Sequence, residues 1–162
     1  MYKSEKENIP IADVFKLYAE DIFRYSYSIL RNAYEARDAV QEVFLKYAES
    51  KNIFREECSI KTWLFTITRN YCYDITRKKK HSAEKIQEDF LLPVNNPDYE
   101  NLISLKEAMK ELTPDQNEII YLRDYEGYSY KEIAELTGQS LENVKIKLFR
   151  AKQSLRKILL EG

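Results

Sequence analysis

Between Leu112 and Leu155 the chain reads LTPDQNEIIYLRDYEGYSYKEIAELTGQSLENVKIKLFRAKQSL, a stretch in which helix start and stop signals follow one another closely. Thr113 is placed to cap a helix, Pro114 takes the first helical position where a missing N–H costs nothing, and Gln116 completes a capping box. The helix is expected to begin at Pro114 and to end near Gly127, the first glycine in the chain and the first residue read as free to take a positive φ. Ser129 and Glu132 repeat the box and open a short helix, YKEIAELT, with Ile133, Ala134 and Leu136 facing inward. Gly138 closes it and Ser140 caps the next. Only about three residues then separate the second and third helices, the short connection of a helix-turn-helix.

The third of these helices separates its faces. Val144, Leu148, Ala151 and Leu155 recur at helical spacing, while Lys145, Lys147, Arg150 and Lys152 fall on the remaining surface. From Lys145 to Gly162 there are six Lys/Arg and one Asp/Glu, whereas the whole section from Asp98 onward has ten and twelve. Positive charge is thus concentrated where a groove of DNA would lie. Basic residues late in a helix also complement its dipole, so the charge alone decides little; together with the three capped boundaries it points to nucleic acid.

The chain has 162 residues, 44% of them apolar, enough for one domain or two small ones with real cores. Its net charge of −1 offers no strong nonspecific attraction to DNA, so nucleic-acid contact must rest on local patches and on a partner. Cys58, Cys72 and the single histidine, His81, form no CxxC and no zinc set, so no metal and no cofactor is expected. With three glycines and one histidine, and without paired carboxylates, a Ser-His arrangement or a phosphate-cradling loop, the residues offer little to an enzyme. No apolar run suits a membrane span and the N-terminal MYKSEKEN lacks the order of a signal peptide, so direct membrane insertion is not expected and a reduced cytoplasm is the expected location.

Residues 81 to 97, HSAEKIQEDFLLPVNNP, hold two prolines, paired asparagines and no sustained period, and read as a flexible linker. The expected organisation is therefore all-α: one small helical domain over 1–80, the linker, and a second over 98–162 that contains the helix-turn-helix. Leu102, Leu105, Met109 and Leu112 add a fourth helix to the second domain. In the first, a helix from Ile11 to Leu30 presents Val14, Phe15, Tyr18, Ile22, Phe23 and Tyr27, and another from about Tyr34 to Glu49 presents Ala36, Ala39, Val40, Val43, Phe44 and Tyr47, the two joined in a hairpin at Arg31 and Asn32. Asp38, Gln41, Glu42 and Glu49 give the second helix an acidic-polar face, either solvated or docked on a basic partner.

Ser59 can cap a further helix whose apolar side includes Trp63, Ile67 and Tyr71. Between Arg69 and Lys80 it carries five cations and one anion, with Asn70, Asp74, Arg77, Lys78 and Lys79 along its later turns. An amide, a cation cluster and aromatic rings on one helix suit the DNA backbone and unstacked bases, although the aromatic residues also suit a core. The preceding loop, Asn52 to Glu57, with Phe54 and Arg55, has the freedom to fold around an extruded base.

With these pieces in order, ARDAVQEVF, SIKTWLFTITRNYCYDITRKKK and the C-terminal stretch from LTPDQNEII to LRKIL, the sequence resembles a bacterial RNA polymerase sigma factor of the sigma-70 family, of the compact extracytoplasmic-function type that keeps regions 2 and 4. The resemblance runs from about Val14 to Leu159, linker excepted. It implies a noncatalytic initiation factor that joins core RNA polymerase, confers promoter recognition and assists melting. By position, it implies that Asp38, Gln41, Glu42 and Phe44 dock on the clamp helices of the largest subunit, and that the flap region is a further contact. It assigns Asn52, Phe54 and Arg55 to capture of an unstacked base of the nontemplate single strand. Asn70, Asp74, Arg77, Lys78 and Lys79 fall to the duplex element near minus ten and its opening, and Ser140, Asn143, Lys145, Ile146, Lys147 and Arg150 to the element near minus thirty-five.

The resemblance also implies an anti-sigma factor that can hold the protein at the membrane. Position 146 departs from the family, which carries a small polar residue there; Ile146 either meets a thymine methyl or contacts the domain's own surface. Two other readings stay open on the residues alone. One is a stand-alone dimeric helix-turn-helix regulator on a palindromic duplex, the other a helical adaptor that binds proteins only.

Overall fold

The computed structural model describes residues 9–49, 59–81 and 107–161, and the chain divides into two compact units, Met1–Ile86 and Gln87–Gly162. The expected loop at 52–57 and the expected linker beyond residue 81 lie outside the described residues. Among the described residues all regular structure is helical and no strand occurs.

The first unit packs three helices on one another: α1 (Ile11–Leu30), α2 (Ala33–Glu49) and α3 (Ile60–His81). Its core is built from Val14, Ile22, Tyr25 and Ile29 of α1, Ala36, Ala39 and Val43 of α2, and Leu64, Phe65, Thr68 and Cys72 of α3. Tyr25 and Phe65 stack with ring centroids 4.7 Å apart at the centre. Two α2 and α3 starts are closed by side chains, Asn32 Oδ1 accepting Glu35 N–H at 3.0 Å and Ser59 Oγ accepting Thr62 N–H at 3.1 Å.

The structure shifts the buried stripe expected for α3. Trp63, Ile67 and Tyr71 are only half-buried, and Ile60, Leu64, Phe65, Thr68 and Cys72 take the interior positions. The sequence offers two apolar stripes on this helix, and contact with both α1 and α2 selects the one that fits between them. Trp63 instead meets Tyr47 edge to face, with ring centroids 5.4 Å apart. In α1, likewise, Phe15 is 45% exposed while Tyr25, Ser26 and Ile29 are buried.

In the second unit residues 107–110 are helical, and Ala108 and Leu112 are buried beside a half-buried Met109; Leu102 and Leu105 lie outside the described residues. Three helices follow: α4 (Pro114–Ile120), α5 (Tyr130–Thr137) and α6 (Leu141–Glu161). Both capping boxes form. Thr113 Oγ1 accepts Gln116 N–H at 3.2 Å and Gln116 Oε1 accepts Thr113 N–H at 3.2 Å, and the Ser129–Glu132 pair does the same at 3.1 and 3.3 Å. Gly138 ends α5 in the left-handed conformation, at φ 69°.

The helix begun at Pro114 is not one α-helix up to Gly127. After Ile120 it widens into a π-helical turn, Tyr121–Tyr125. From Asn117 to Leu122 every residue is buried. No single face of a 3.6-residue repeat can bury six successive side chains, so this helix runs through the middle of its unit, and the wider turn adjusts the register at its end. Asn117 is held there by its Nδ2 donating to the Met109 carbonyl at 3.0 Å.

A second conformational feature lies outside the glycines. Arg31, at the end of α1, adopts φ 56° and ψ 30°, and its N–H returns to the Tyr27 carbonyl at 2.9 Å. Left-handed backbone costs a residue with a Cβ about 1–2 kcal/mol, which glycine avoids at some entropic cost. The Arg31 guanidinium is partly buried, which lowers its pKa, and its Nη1 has no hydrogen-bond partner among the described residues. Arg31→Gly is therefore expected to raise the unfolding free energy of the chain by about 1 kcal/mol. Urea denaturation measures this, and a drop of similar size would show that the guanidinium stem stabilises the hairpin instead.

Candidate polymerase and nucleic-acid interfaces

Three surfaces collect the residues singled out from the sequence. The first is the outer face of α2. Asp38 and Gln41 are exposed and Glu42 is half-buried, successive along one side of the helix. Phe44 is not on that side: it is 7% exposed and packs on Phe15, ring centroids 4.9 Å apart. It supports the α2 surface from beneath and presents no face of its own. Leu45, which sequence reading passed over, is 56% exposed and lies one turn beyond Gln41 and two beyond Asp38. Its signal was available: with Val43, Phe44 and Tyr47 pointing inward, a leucine at 45 has no inward position left. Beside this face, Phe15, Lys16, Ala19, Glu20 and Phe23 of α1 and Arg37, Val40 and Gln41 of α2 line a shallow groove.

The second surface is the C-terminal half of α3. Asn70, Asp74, Arg77 and Lys78 are exposed at intervals of four, three and one, which puts them on a common side. Arg77 is paired with Asp74 on that side. Lys79 is turned elsewhere. Its Nζ lies 2.5 Å from Glu35 Oε2 at the start of α2, so it braces α3 against α2 rather than joining the other cations. Arg69 lies over the ring of Tyr73 with its guanidinium carbon 4.5 Å from the centroid, and Lys46 Nζ lies 5.2 Å from the centre of Tyr71. Asn52, Phe54 and Arg55 lie outside the described residues.

The third surface is α6. Ser140 Oγ accepts Asn143 N–H at 3.1 Å, which sets the start of the helix. Val144, Leu148 and Ala151 are buried and Leu155 half-buried, the inward stripe expected. At about 100° per residue, Ile146 points about 170° from the mean of that stripe, Phe149 and Arg150 about 130°, and Lys147 and Lys152 about 70°. The observed exposure agrees: Ile146 is 46% and Phe149 66% exposed, with Asn143 and Arg150 also exposed. Lys147 and Lys152 lean back on their own unit, Lys147 Nζ 3.6 Å from Asp115 Oδ2 and Lys152 Nζ 3.1 Å from Asp124 Oδ1. Lys145 stands beside Tyr130, 5.9 Å from its ring centre. Ser140 caps, and Phe149 is an outward residue that sequence reading missed.

No helix among the described residues is long and apolar enough to cross a membrane.

Comparison with known proteins fits these two units. Residues 14–82 match the family model of sigma-70 region 2, and residues 102–155 that of sigma-70 region 4. The RNA polymerase sigma factor SigV of Bacillus subtilis (strain 168) is 33% identical over 138 residues, 85% of this chain and 83% of the relative. The ECF RNA polymerase sigma factor SigX of the same organism is 28% identical over 156 residues, 89% of this chain and 80% of the relative. Among solved structures, the sigma factor RpoE in complex with the anti-sigma factor NepR, from Bartonella quintana, aligns with a TM-score of 0.80 and 27% identity over 91% of this chain and 95% of that one. The chain belongs to the sigma-70 family of RNA polymerase sigma factors, in its extracytoplasmic-function branch. It is a noncatalytic transcription initiation factor that binds RNA polymerase and recognises promoters.

The phenols of the first unit give its stability a pH limit. Burial, and then Tyr18, raises the Tyr47 pKa above 10.0; burial, followed by the negative charge of Glu42 and Asp38, raises that of Tyr71. A raised folded-state pKa means the folded chain binds more protons than the unfolded one above the ordinary tyrosine pKa. The stabilisation is complete below about pH 10 and is lost as pH rises through the folded values. Thermal melts from about pH 10 upward should therefore show a falling midpoint, and Tyr47→Phe should flatten that slope. An unchanged slope in the variant would remove Tyr47 from the cause.

Proposed function

We propose that the three surfaces divide the work of initiation. The α2 face of Asp38, Gln41, Glu42 and the exposed Leu45 docks on the clamp helices of the polymerase's largest subunit, with Phe44 holding the face in position from below. The observation that carries this reading is the pairing of an outward acidic-polar face in the first unit with an outward cationic helix in the second. The two partners they suit are of opposite charge, a basic protein surface and a polyanion.

On the first unit, the Asn70, Asp74, Arg77 and Lys78 side of α3 meets the element near minus ten. Loop residues Asn52, Phe54 and Arg55 capture a nontemplate base and so assist melting. Lys79 acts there through its brace with Glu35. On the second unit, α6 lies in the major groove of the element near minus thirty-five, the placement a helix-turn-helix makes. Its capped N-terminus and Asn143 approach the backbone and base edges, Arg150 reaches base or phosphate, and Lys145 and Lys147 lie toward the flanking phosphates. The Lys147–Asp115 pair is a surface ion pair worth about 0–1 kcal/mol, little obstacle to transfer of the ammonium to a phosphate. The flap region of polymerase is the further protein contact of this unit. The domain limits are 1–80 and 98–162 about a linker at 81–97. An anti-sigma factor, as found with the Bartonella relative, holds the protein inactive in the cytoplasm or at the membrane.

Two groups of variants test the division with purified bacterial core polymerase. Asp38→Lys and Gln41→Ala should weaken core binding about tenfold, roughly 1.4 kcal/mol. If several substitutions at these positions leave core binding normal, the docking assignment is wrong. Arg150→Ala should leave core binding intact and reduce promoter use by about 1–3 kcal/mol if it reads a base, whereas Lys147→Ala should act evenly across sequences and lower the salt slope by about 1. Tight binding to a palindromic duplex without polymerase, and no initiation with it, would favour the stand-alone regulator.

A further inference from the structure

The outermost position of α6 is apolar. Ile146 is 46% exposed, points away from Val144, Leu148 and Ala151, and has Phe149, 66% exposed, as its neighbour one turn on. A side chain opposite the buried stripe has no access to its own unit's interior, which removes packing against the domain as the reason for an isoleucine here. The patch is flanked by Asn143 and Arg150 and, farther round the helix, by Lys145, Lys147 and Lys152. A cationic rim around an apolar centre is complementary to a polyanion whose groove carries an apolar group. In the major groove one base edge offers such a group, the C5-methyl of thymine.

We infer that Ile146 is a promoter-specificity residue that reads thymine through its methyl group, so that the upstream element of this factor requires a thymine at the position Ile146 faces. The inference rests on the proposed placement of α6 in the groove. Ile146 has no side-chain donor or acceptor, so it cannot satisfy the exposed N4 amine of cytosine or the O6 and N7 of guanine. Those bases are disfavoured because their polar edges would be desolvated without a partner. Phe149 shields the contact from water on one side and Arg150 anchors the backbone or a neighbouring base on the other.

Deoxyuridine tests this directly, since it keeps every hydrogen-bonding group of thymine and lacks only the methyl. The upstream element is first defined by initiation from a promoter library with core polymerase and the full chain. Each thymine in it is then replaced singly by deoxyuridine. At one position the wild-type holoenzyme should lose about fourfold in initiation, the size expected for one buried methyl. Ile146→Ser should abolish that difference and initiate equally on the thymine and deoxyuridine templates. An element without thymine, equal use of thymine and deoxyuridine at every position by the wild type, or discrimination that persists in Ile146→Ser would each overturn the inference while initiation itself upholds the sigma function. Absence of initiation from every template would instead overturn the placement of α6 on a promoter, and this inference with it.

Discussion

A side-chain oxygen that accepts a backbone N–H in the first turn is the contact on which the functional surfaces depend. Asn32, Ser59, Thr113, Ser129 and Ser140 each make it, at the starts of α2 to α6. The start of a helix sets the phase of everything after it. Once Ser140 caps α6, Val144 and Leu148 turn inward and Ile146 must turn outward; once Asn32 caps α2, Ala36 and Val43 are buried and Asp38 and Gln41 are not. A start displaced by one residue would rotate each face by about 100°. Each cap is worth about 1 kcal/mol in stability, but its larger effect here is on which side chains a partner can meet.

Several outward cations of the two units already have an acidic neighbour. Lys79 is held by Glu35, Arg77 by Asp74, Lys147 by Asp115 and Lys152 by Asp124. With a net charge of −1 for the whole chain, such pairing leaves little long-range attraction for DNA. This suits an initiation factor that binds RNA polymerase, because contacts made on one assembly support one another. Linked binding of that kind converts the second contact into an intramolecular one.

Much of the fold was legible in the residues, and the reasons for the remainder are specific. The bounds of α1, both capping boxes, the Ser59 and Ser140 caps and the inward stripe of α6 follow from local chemistry that acts within four residues. Several of the departures concern choices between equivalent local options. On α3, Trp63, Ile67 and Tyr71 compete with Leu64, Phe65 and Cys72 for the interior, and only the joint presence of α1 and α2 selects the second set. Phe44 and Leu45 are adjacent and both apolar, and packing on Phe15 assigns one to the core and the other to the surface. At Arg31, the tight α1–α2 connection imposes a left-handed residue where the sequence supplies no glycine.

By itself, the sequence determined where helices α1 to α6 begin, that the chain is all-α, and that it carries the region 2 and region 4 motifs of a sigma factor. The first two rest on hydrogen bonds between near neighbours and on apolar periodicity, which short segments express locally, and the third on resemblance to the family. Tertiary structure decided which residues were left outside. It removed Phe44 from the α2 surface and put Leu45 there, drew Lys79 away from its neighbours to Glu35, bent the end of the central helix into a π turn, and set Ile146 and Phe149 on the outer side of α6. Exposure is a difference between a side chain and everything that packs around it, and that difference exists only when all the helices are in place.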